Sequence, residues 1–254
     1  MKTQVMNFVR PRLVTFDVTG TLLQTKLEHY REIGVKYGAP ELDLRLLAPS
    51  FKEHFSRLSN EHPVFGKHTG LGWQKWWKNL VYGVFRDQHP GISHDVLEKV
   101  SHNLIELYGT NNCWHLYPGA KDLLSYLNKQ DIVVGVISNF DDRLEGILAS
   151  TGLRDYFSFV LTSYNYGSEK PTRKIFTEAL RLGEQARGEA IIPGEAVHVG
   201  DNFKLDYVGA KDAGWYAFLM MHDCDTKDKY KDISEFELFR DLDELKDHFK
   251  TLLE

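Results

Sequence analysis

An α/β protein, with a doubly wound parallel sheet and a separate all-helical stretch, is what this 254-residue chain predicts. Two patterns carry that expectation. From about Tyr117 onward, unbroken apolar runs alternate with amphipathic stretches, as in a parallel sheet buried on both faces by helices. Between a first apolar run near the start and that alternating region, residues 24–112 read as helix only.

The elements follow in order. Leu13-Val14-Thr15-Phe16 is too short for a core helix and has strand-forming residues; it ends at Asp17. Four apolar stripes at steps of three and four come next: Leu27, Tyr30, Ile33 and Tyr37; Leu44, Leu47, Phe51, Phe55 and Leu58; Trp73, Trp77, Leu80 and Val84; and Leu97, Val100, Leu104 and Leu107. Gly38-Ala39-Pro40, the Asn60–Gly72 segment and His89-Pro90-Gly91 break them apart. Then helix and strand alternate. Helices are expected around Ala120–Leu127, Arg143–Ser150, Thr172–Leu182 and Leu205–Ala213, and strands at Ile132–Ile137, Phe157–Leu161, Ala196–Val199 and Trp215–Met220. A last helix carries Leu238, Leu242, Leu245, Phe249 and Leu252.

Composition narrows the function classes. Hydrophobic residues make up 42% and charged residues 26%, which excludes a disordered or fibrous chain. The net charge of -5 lacks the basic excess of a general nucleic-acid binder, so no nucleic-acid partner is expected. The apolar run Ile132–Ile137 is far below the ~20 residues of a spanning helix, and Met1–Arg10 has no apolar core of a secretory signal. With two cysteines, Cys113 and Cys224, no disulfide framework is expected, and a reducing compartment, cytoplasmic or nuclear, is the default. His222-Asp223-Cys224-Asp225 has ligand-type residues but reads as a polar loop, and no phosphate-cradling G-x-x-x-x-G-K-[ST] or G-x-G-x-x-G occurs.

In open parallel sheets ligands bind beyond the carboxyl ends of the strands. Those positions hold Asp17, Ser138-Asn139, Lys170 a little after the next strand, and Gly200-Asp201 with Asp206. Each has an ordinary reading: a turn residue, a strand-end hydroxyl, a turn cap, a solvated amine, a helix cap and a first-turn acid. Together they form a carboxylate cluster with one amine, costly unless a cation joins it and suited to Mg²⁺.

Asp17-Val18-Thr19-Gly20-Thr21-Leu22, Ile137-Ser138-Asn139, Lys170-Pro171 and Val199-Gly200-Asp201-Asn202 followed by Asp206 resemble, in order, the four motifs of the haloacid dehalogenase superfamily. Trp76-Trp77 and Ser138-Asn139-Phe140-Asp141 narrow the likeness to one branch of it. The resemblance implies a haloacid dehalogenase-like (Rossmannoid) core over 1–23 and 113–254, with 24–112 inserted as a helical cap. It implies hydrolase activity on a small phosphorylated metabolite through an aspartyl-phosphate. Asp17 is then the nucleophile, and Lys170 neutralises the charge of nucleophile and phosphoryl group. Ser138 holds a phosphate oxygen, with Asn139 as an orienting residue. Mg²⁺ is held by Asp17, the Thr19 carbonyl and Asp201, with Asp206 as a water-mediated ligand or an orienting group.

One position departs from the pattern. The phosphatases of that superfamily usually carry an acid–base Asp two residues after the nucleophile, where this chain has Thr19. Losing general acid–base help typically costs ~10²–10⁴ in rate. Slow turnover is therefore expected, and a weakly catalytic binding or regulatory protein is the alternative. A 2-haloacid dehalogenase is a third reading, disfavoured by Gly200-Asp201, which metal-free dehalogenases lack.

Overall fold

The computed structural model describes residues 9–222, 230 and 233–253. Asp223-Cys224-Asp225, expected as part of a polar loop, lies outside the described residues. The chain divides into two compact units: Met1–Gln24, Leu116–Asn139 and Gly152–Glu254 form one, and Thr25–His115 with Phe140–Thr151 form the other.

The first unit is built on a six-stranded sheet. Its strands are β1 (Leu13–Phe16), β4 (Val133–Ser138), β5 (Phe159–Thr162), β6 (Ala196–Gly200), β7 (Tyr216–Met220) and β8 (Leu238–Phe239). Two-residue strands β2 (Leu23–Gln24) and β3 (His115–Leu116) lie outside it. The order is β5-β4-β1-β6-β7-β8, and every neighbouring pair is parallel. The chain steps outward from β1 through β4 to β5, then returns to the other side of β1 for β6, β7 and β8. The order therefore reverses beside β1, and the crevice of an open parallel sheet falls at the carboxyl ends of β4, β1 and β6. Helices α5 (Ala120–Asn128), α7 (Ser163–Tyr166), α8 (Arg173–Arg187), α9 (Gly209–Asp212) and α10 (Leu242–Leu253) belong to this unit. Strand periodicity sends Leu13, Ile137, Leu161, Ala196 and Ala217 to one face, where Ile175, Phe176 and Ala179 of α8 bury them.

Two sequence expectations are corrected here. Leu238 was expected on the last helix. It belongs to edge strand β8, paired with Leu219 of β7, and the helix begins at Leu242. The boundary has a local cause: Asp241 Oδ1 accepts the Glu244 N–H at 2.7 Å, which caps the first turn, and a Glu244 carboxylate oxygen accepts the Arg240 N–H at 2.8 Å. The regular helix expected over Leu205–Ala213 opens instead as a wider π-helical turn, Phe203–Val208, before α9. The side chain of Asn202 accepts the N–H groups of Lys204 and Leu205, and its carbonyl takes those of Asp206 and Tyr207.

The second unit holds α1 (Glu28–Lys36), α2 (Leu44–Glu61), α3 (Trp73–Gln88), α4 (His94–Leu107) and α6 (Leu144–Ser150). Trp76, 1% exposed and not on the expected stripe, centres an aromatic cluster with Phe55, Phe65 and Trp77, so the buried face of α3 runs through Trp76, Leu80 and Val84. Its indole N–H reaches the carbonyls of Leu58 and His62, which ties α3 to the end of α2. Trp77 serves a polar function as well. Its indole N–H donates to the fully buried Asp141 at 2.7 Å, and Asp141 also binds Arg143 through Nε at 2.8 Å and Nη2 at 2.7 Å. The Arg143 guanidinium lies over the rings of Trp73 and Trp77 at 4.8 and 5.3 Å. Removing Asp141 strands a buried guanidinium and an indole N–H. Asp141→Ala is expected to lose roughly 3–5 kcal/mol in denaturant unfolding, and a loss below about 1 kcal/mol would contradict this account. No described helix is long and apolar enough to cross a membrane.

Candidate active site

Asp17 follows β1 directly, and its backbone N–H bonds the Val199 carbonyl of β6 at 2.8 Å. The chain then turns tightly around the Val18 carbonyl, which accepts the N–H groups of Thr21, Leu22 and Leu23. Gly20 sits in this turn at φ +80°, and a Cβ there would stand 2.4 Å from Asp201 Oδ2. Glycine is thus required twice over, by the backbone and by the approach of Asp201. Thr19, the residue before it, is exposed. Gly200 plays the matching part after β6, since a Cβ would fall 2.2 Å from Asp206 Cγ. Gly20 thus lets the first motif press against the last, and Gly200 lets Asp206 fold back against the end of its own strand.

Lys170 comes from the segment before α8 and is 2% exposed. Its ammonium has three acceptors: Asp17 Oδ1 at 2.7 Å, Asp206 Oδ1 at 2.7 Å and the Ile137 carbonyl at 2.8 Å. An ammonium has three protons, so the set is complete. Asn139 holds the Lys170 main chain from both sides: its Oδ1 accepts the Lys170 N–H at 2.8 Å and its Nδ2 donates to the Lys170 carbonyl at 3.0 Å. Ser138 is buried at the end of β4, in register with Thr162 of β5. Carboxylate oxygens of Asp17, Asp201 and Asp206 lie within 4.8 Å of one another. Asp206 is the most engaged of the three. Besides Lys170 it accepts His198 Nε2 on Oδ1 at 3.0 Å and the Asn202 N–H on Oδ2 at 2.9 Å.

The electrostatics follow from burial and neighbours. Burial raises the Asp17 carboxyl; the Lys170 ammonium opposes this and Asp206 adds to it, leaving the group above its ordinary value. Burial would also raise Asp206, but Lys170 and the His198 bond outweigh it and hold Asp206 far below the usual carboxylate range. Burial would lower Lys170, yet Asp17 and Asp206 keep its ammonium above the ordinary value. Asp201 is pushed up to about 7 by burial and then by the negative charges of Asp17 and Asp206. Solvent on its exposed side screens part of this push; the repulsion from two neighbouring carboxylates remains. Three carboxylates against one ammonium leave negative charge in excess, all of it on hard oxygen donors. The residues therefore fit a divalent cation, with Asp17 and Asp201 the less engaged ligands.

A pH dependence follows. An Asp201 carboxyl raised above its ordinary 3.8 makes the folded chain bind more protons than the unfolded one between about pH 4 and about 7. Without a cation, stability should fall as pH rises through that window. Mg²⁺ competes with the same proton, so its affinity should increase with pH and level off above about 7. Calorimetric titration in two buffers of different ionisation enthalpy reads the released proton; pH-independent affinity between 5 and 8 would contradict it.

Two site residues escaped the strand-end reading. Thr15 and His198 lie within β1 and β6, are fully buried, and approach to 2.8 Å through Oγ1 and Nδ1. Their signal in the sequence is a polar residue inside an otherwise apolar strand.

Comparison with known proteins shows the family and the fold. A family model described as haloacid dehalogenase-like hydrolase matches residues 11–214. The chain is 39% identical over 220 residues to the Rhythmically expressed gene 2 protein of Drosophila melanogaster, covering 83% of each. It is 35% identical over 213 residues to the human haloacid dehalogenase-like hydrolase domain-containing protein 3, covering 83% of this chain and 82% of the relative. Among solved structures, a 2-haloacid dehalogenase from Pseudomonas syringae pv. Tomato DC3000 superposes with a TM-score of 0.63 at 25% identity, over 95% of this chain and 99% of that one. A HAD phosphatase from Thermococcus onnurineus, at 24% identity and a TM-score of 0.54, shares the fold over 93% of this chain and 96% of its own. With its four motifs gathered at the carboxyl ends of one parallel sheet and a family model matching 204 of its residues (11–214), the chain belongs to the haloacid dehalogenase-like hydrolase family.

Proposed function

We propose that this protein is a Mg²⁺-dependent phosphohydrolase of a small phosphorylated metabolite, working through an aspartyl-phosphate on Asp17 with slow turnover. The observation that carries the reading is the buried Lys170 ammonium 2.7 Å from Asp17 Oδ1, beside carboxylates of Asp201 and Asp206 that lie within 4.8 Å of Asp17. A carboxylate attacking a phosphoryl dianion meets repulsion, and fixed positive charge at the attacking oxygen is what lowers it. A divalent cation held by Asp17 and Asp201, with the Thr19 carbonyl as a third donor, supplies further charge neutralisation when bound.

In the first half-reaction an Asp17 oxygen forms a bond to phosphorus while the bond from phosphorus to the ester oxygen breaks. The departing alkoxide takes its proton from water, because the Thr19 hydroxyl is too weak an acid to give one near neutral pH. Lys170 stays bound to the Asp17 carboxyl, and Ser138 offers a hydroxyl to a phosphoryl oxygen. In the second half-reaction water attacks phosphorus, Asp17 leaves as carboxylate, and phosphate is released. No side chain at position 19 deprotonates that water, so this half-reaction limits the rate.

Thr19 favours a second reading, a binding or regulatory protein that keeps the site without effective turnover. One experiment separates the two. Phosphate release is measured with Mg²⁺ on a panel of small phosphomonoesters for the wild type and Thr19→Asp. The proposal expects measurable wild-type turnover and a gain of about 10²-fold or more in Thr19→Asp. Tight binding of phosphate analogues with no release by either protein supports the binding reading, and metal-independent halide release from a 2-haloacid supports a dehalogenase.

A further inference from the structure

Thr15 and His198 occupy places where the strands otherwise carry apolar side chains. They face each other in register across β1 and β6, on the face covered by α8, and Phe176 meets the His198 ring edge-on at 5.4 Å. An imidazole this deeply buried needs partners for both nitrogens, and it has them: Thr15 Oγ1 at 2.8 Å from Nδ1 and Asp206 Oδ1 at 3.0 Å from Nε2.

The direction of the bonds follows from the acceptors. The Asp206 carboxylate can only accept, and it already takes Lys170 and the Asn202 N–H. Nε2 must therefore carry a proton and donate it. In a neutral ring the proton on Nε2 leaves Nδ1 as an acceptor. The Thr15 hydroxyl then donates to Nδ1; its other acceptor, the Val197 carbonyl, lies farther off at 3.4 Å. A single directed chain results: Thr15 to His198, His198 to Asp206, and the Lys170 ammonium bridging Asp206 and Asp17.

The position of Lys170 depends on this chain. Asp206 Oδ1 is shared by the ammonium and the imidazole, so the His198 bond fixes the oxygen on which Lys170 rests. Lys170 can bind Asp17, Asp206 and the Ile137 carbonyl at once only while that oxygen stays in place. The geometry points to His198 as a positioning residue that acts through Asp206 to hold the Lys170 ammonium against Asp17, with Thr15 selecting the tautomer that can do so. The catalytic consequence rests on the phosphohydrolase reading; the placement of Lys170 rests on the hydrogen bonds alone.

The test uses the full chain and two readouts. The first is the ¹⁵N–¹H signal of the Lys170 side-chain ammonium, protected from exchange by burial and assigned by its loss in Lys170→Met. The second is the division of phosphate-ester kinetics between kcat and KM. His198→Leu removes the donor. His198→Gln places an amide N–H close to the position of Nε2–H. The Leu variant should lose or shift the Lys170 signal and drop kcat about 10–100-fold with KM within about threefold. The Gln variant should restore most of both. An unchanged Lys170 signal and kcat in His198→Leu overturns the proposal, as does a Gln variant as impaired as Leu with the same loss of thermal stability, which would make His198 a packing residue only. Should the Leu variant not fold, Thr15→Val keeps the shape and removes the hydroxyl; an unaltered Lys170 signal there also overturns the proposal. A wild type without turnover on any ester defeats the phosphohydrolase reading, while the Lys170 signal across the variants still decides the positioning role.

Discussion

Asp17→Asn should abolish phosphate release, leaving about 10⁻⁴ or less of the wild-type rate, because an amide cannot act as the nucleophile that forms the acyl phosphate. The fold should survive the change. Lys170 keeps Asp206 at 2.7 Å and the Ile137 carbonyl at 2.8 Å, so its charge is not stranded. The backbone bond from residue 17 to Val199 is indifferent to the side chain. The neutral amide also relieves Asp201 of one of its two repelling neighbours, so the Asp201 carboxyl should move back toward its ordinary value. A Mg²⁺-dependent phosphatase assay with thermal unfolding as the control checks both halves. Residual activity above about one per cent of wild type would place the nucleophile elsewhere, given the scale of loss expected for a removed nucleophile.

Lys170→Met is the complementary case, and its effect on stability should exceed its counterpart's. The thioether fills much of the volume but leaves Asp17 and Asp206 buried without their shared cation. Breaking a buried ion pair from one side typically costs roughly 3–5 kcal/mol. The sign of the pH dependence identifies the cause. Without the ammonium, the folded-state pKa values of both carboxyls rise, and the folded chain binds protons that the unfolded chain does not. The variant should therefore regain stability as pH falls from 8 toward about 5, where those carboxyls take up protons. Mg²⁺ should also restore part of the loss by supplying positive charge. Phosphate release should fall by about 10²–10³-fold even under conditions where the variant is folded. Denaturant unfolding at two pH values, with and without Mg²⁺, reads these effects. A loss independent of pH and cation would indicate a packing defect instead.

Most of the architecture is legible in the chain because it rests on local periodicity. Four helical stripes, five apolar strands and the breakers between them appear in the structure close to their expected positions. Departures occur where long-range pairing overrides local pattern. Leu238 continues a helical stripe in the sequence, but β7 offers it a free edge, and the bond from the Glu244 N–H to Asp241 Oδ1 begins the helix after it. The segment after Asn202 has helical composition, yet it widens into a π-turn in which the Asn202 carbonyl takes two N–H groups and Asp206 folds back against Gly200.

The site divides in the same way. Strand ends in a parallel sheet carry the chemistry, so Asp17, Ser138, Asn139, Lys170, Asp201 and Asp206 can be nominated from order and spacing. Residue types alone do not say which oxygen faces which nitrogen. That Lys170 satisfies three acceptors at once, that Asn139 grips its main chain, and that His198 fixes Asp206 all depend on the register of β1 with β6 and on the return of the chain beside β1. Trp77 shows the same limit in the helical unit, where a stripe residue proves to be the donor to buried Asp141. Periodicity and the kinds of residue at each strand end belong to the chain itself, because they follow from steric preference and from the exclusion of apolar groups from water. Hydrogen-bond partners and shifted acidities arise from contacts between residues far apart in the chain, 153 positions for Lys170 and Asp17 and 183 for Thr15 and His198, and those exist only once the sheet has closed.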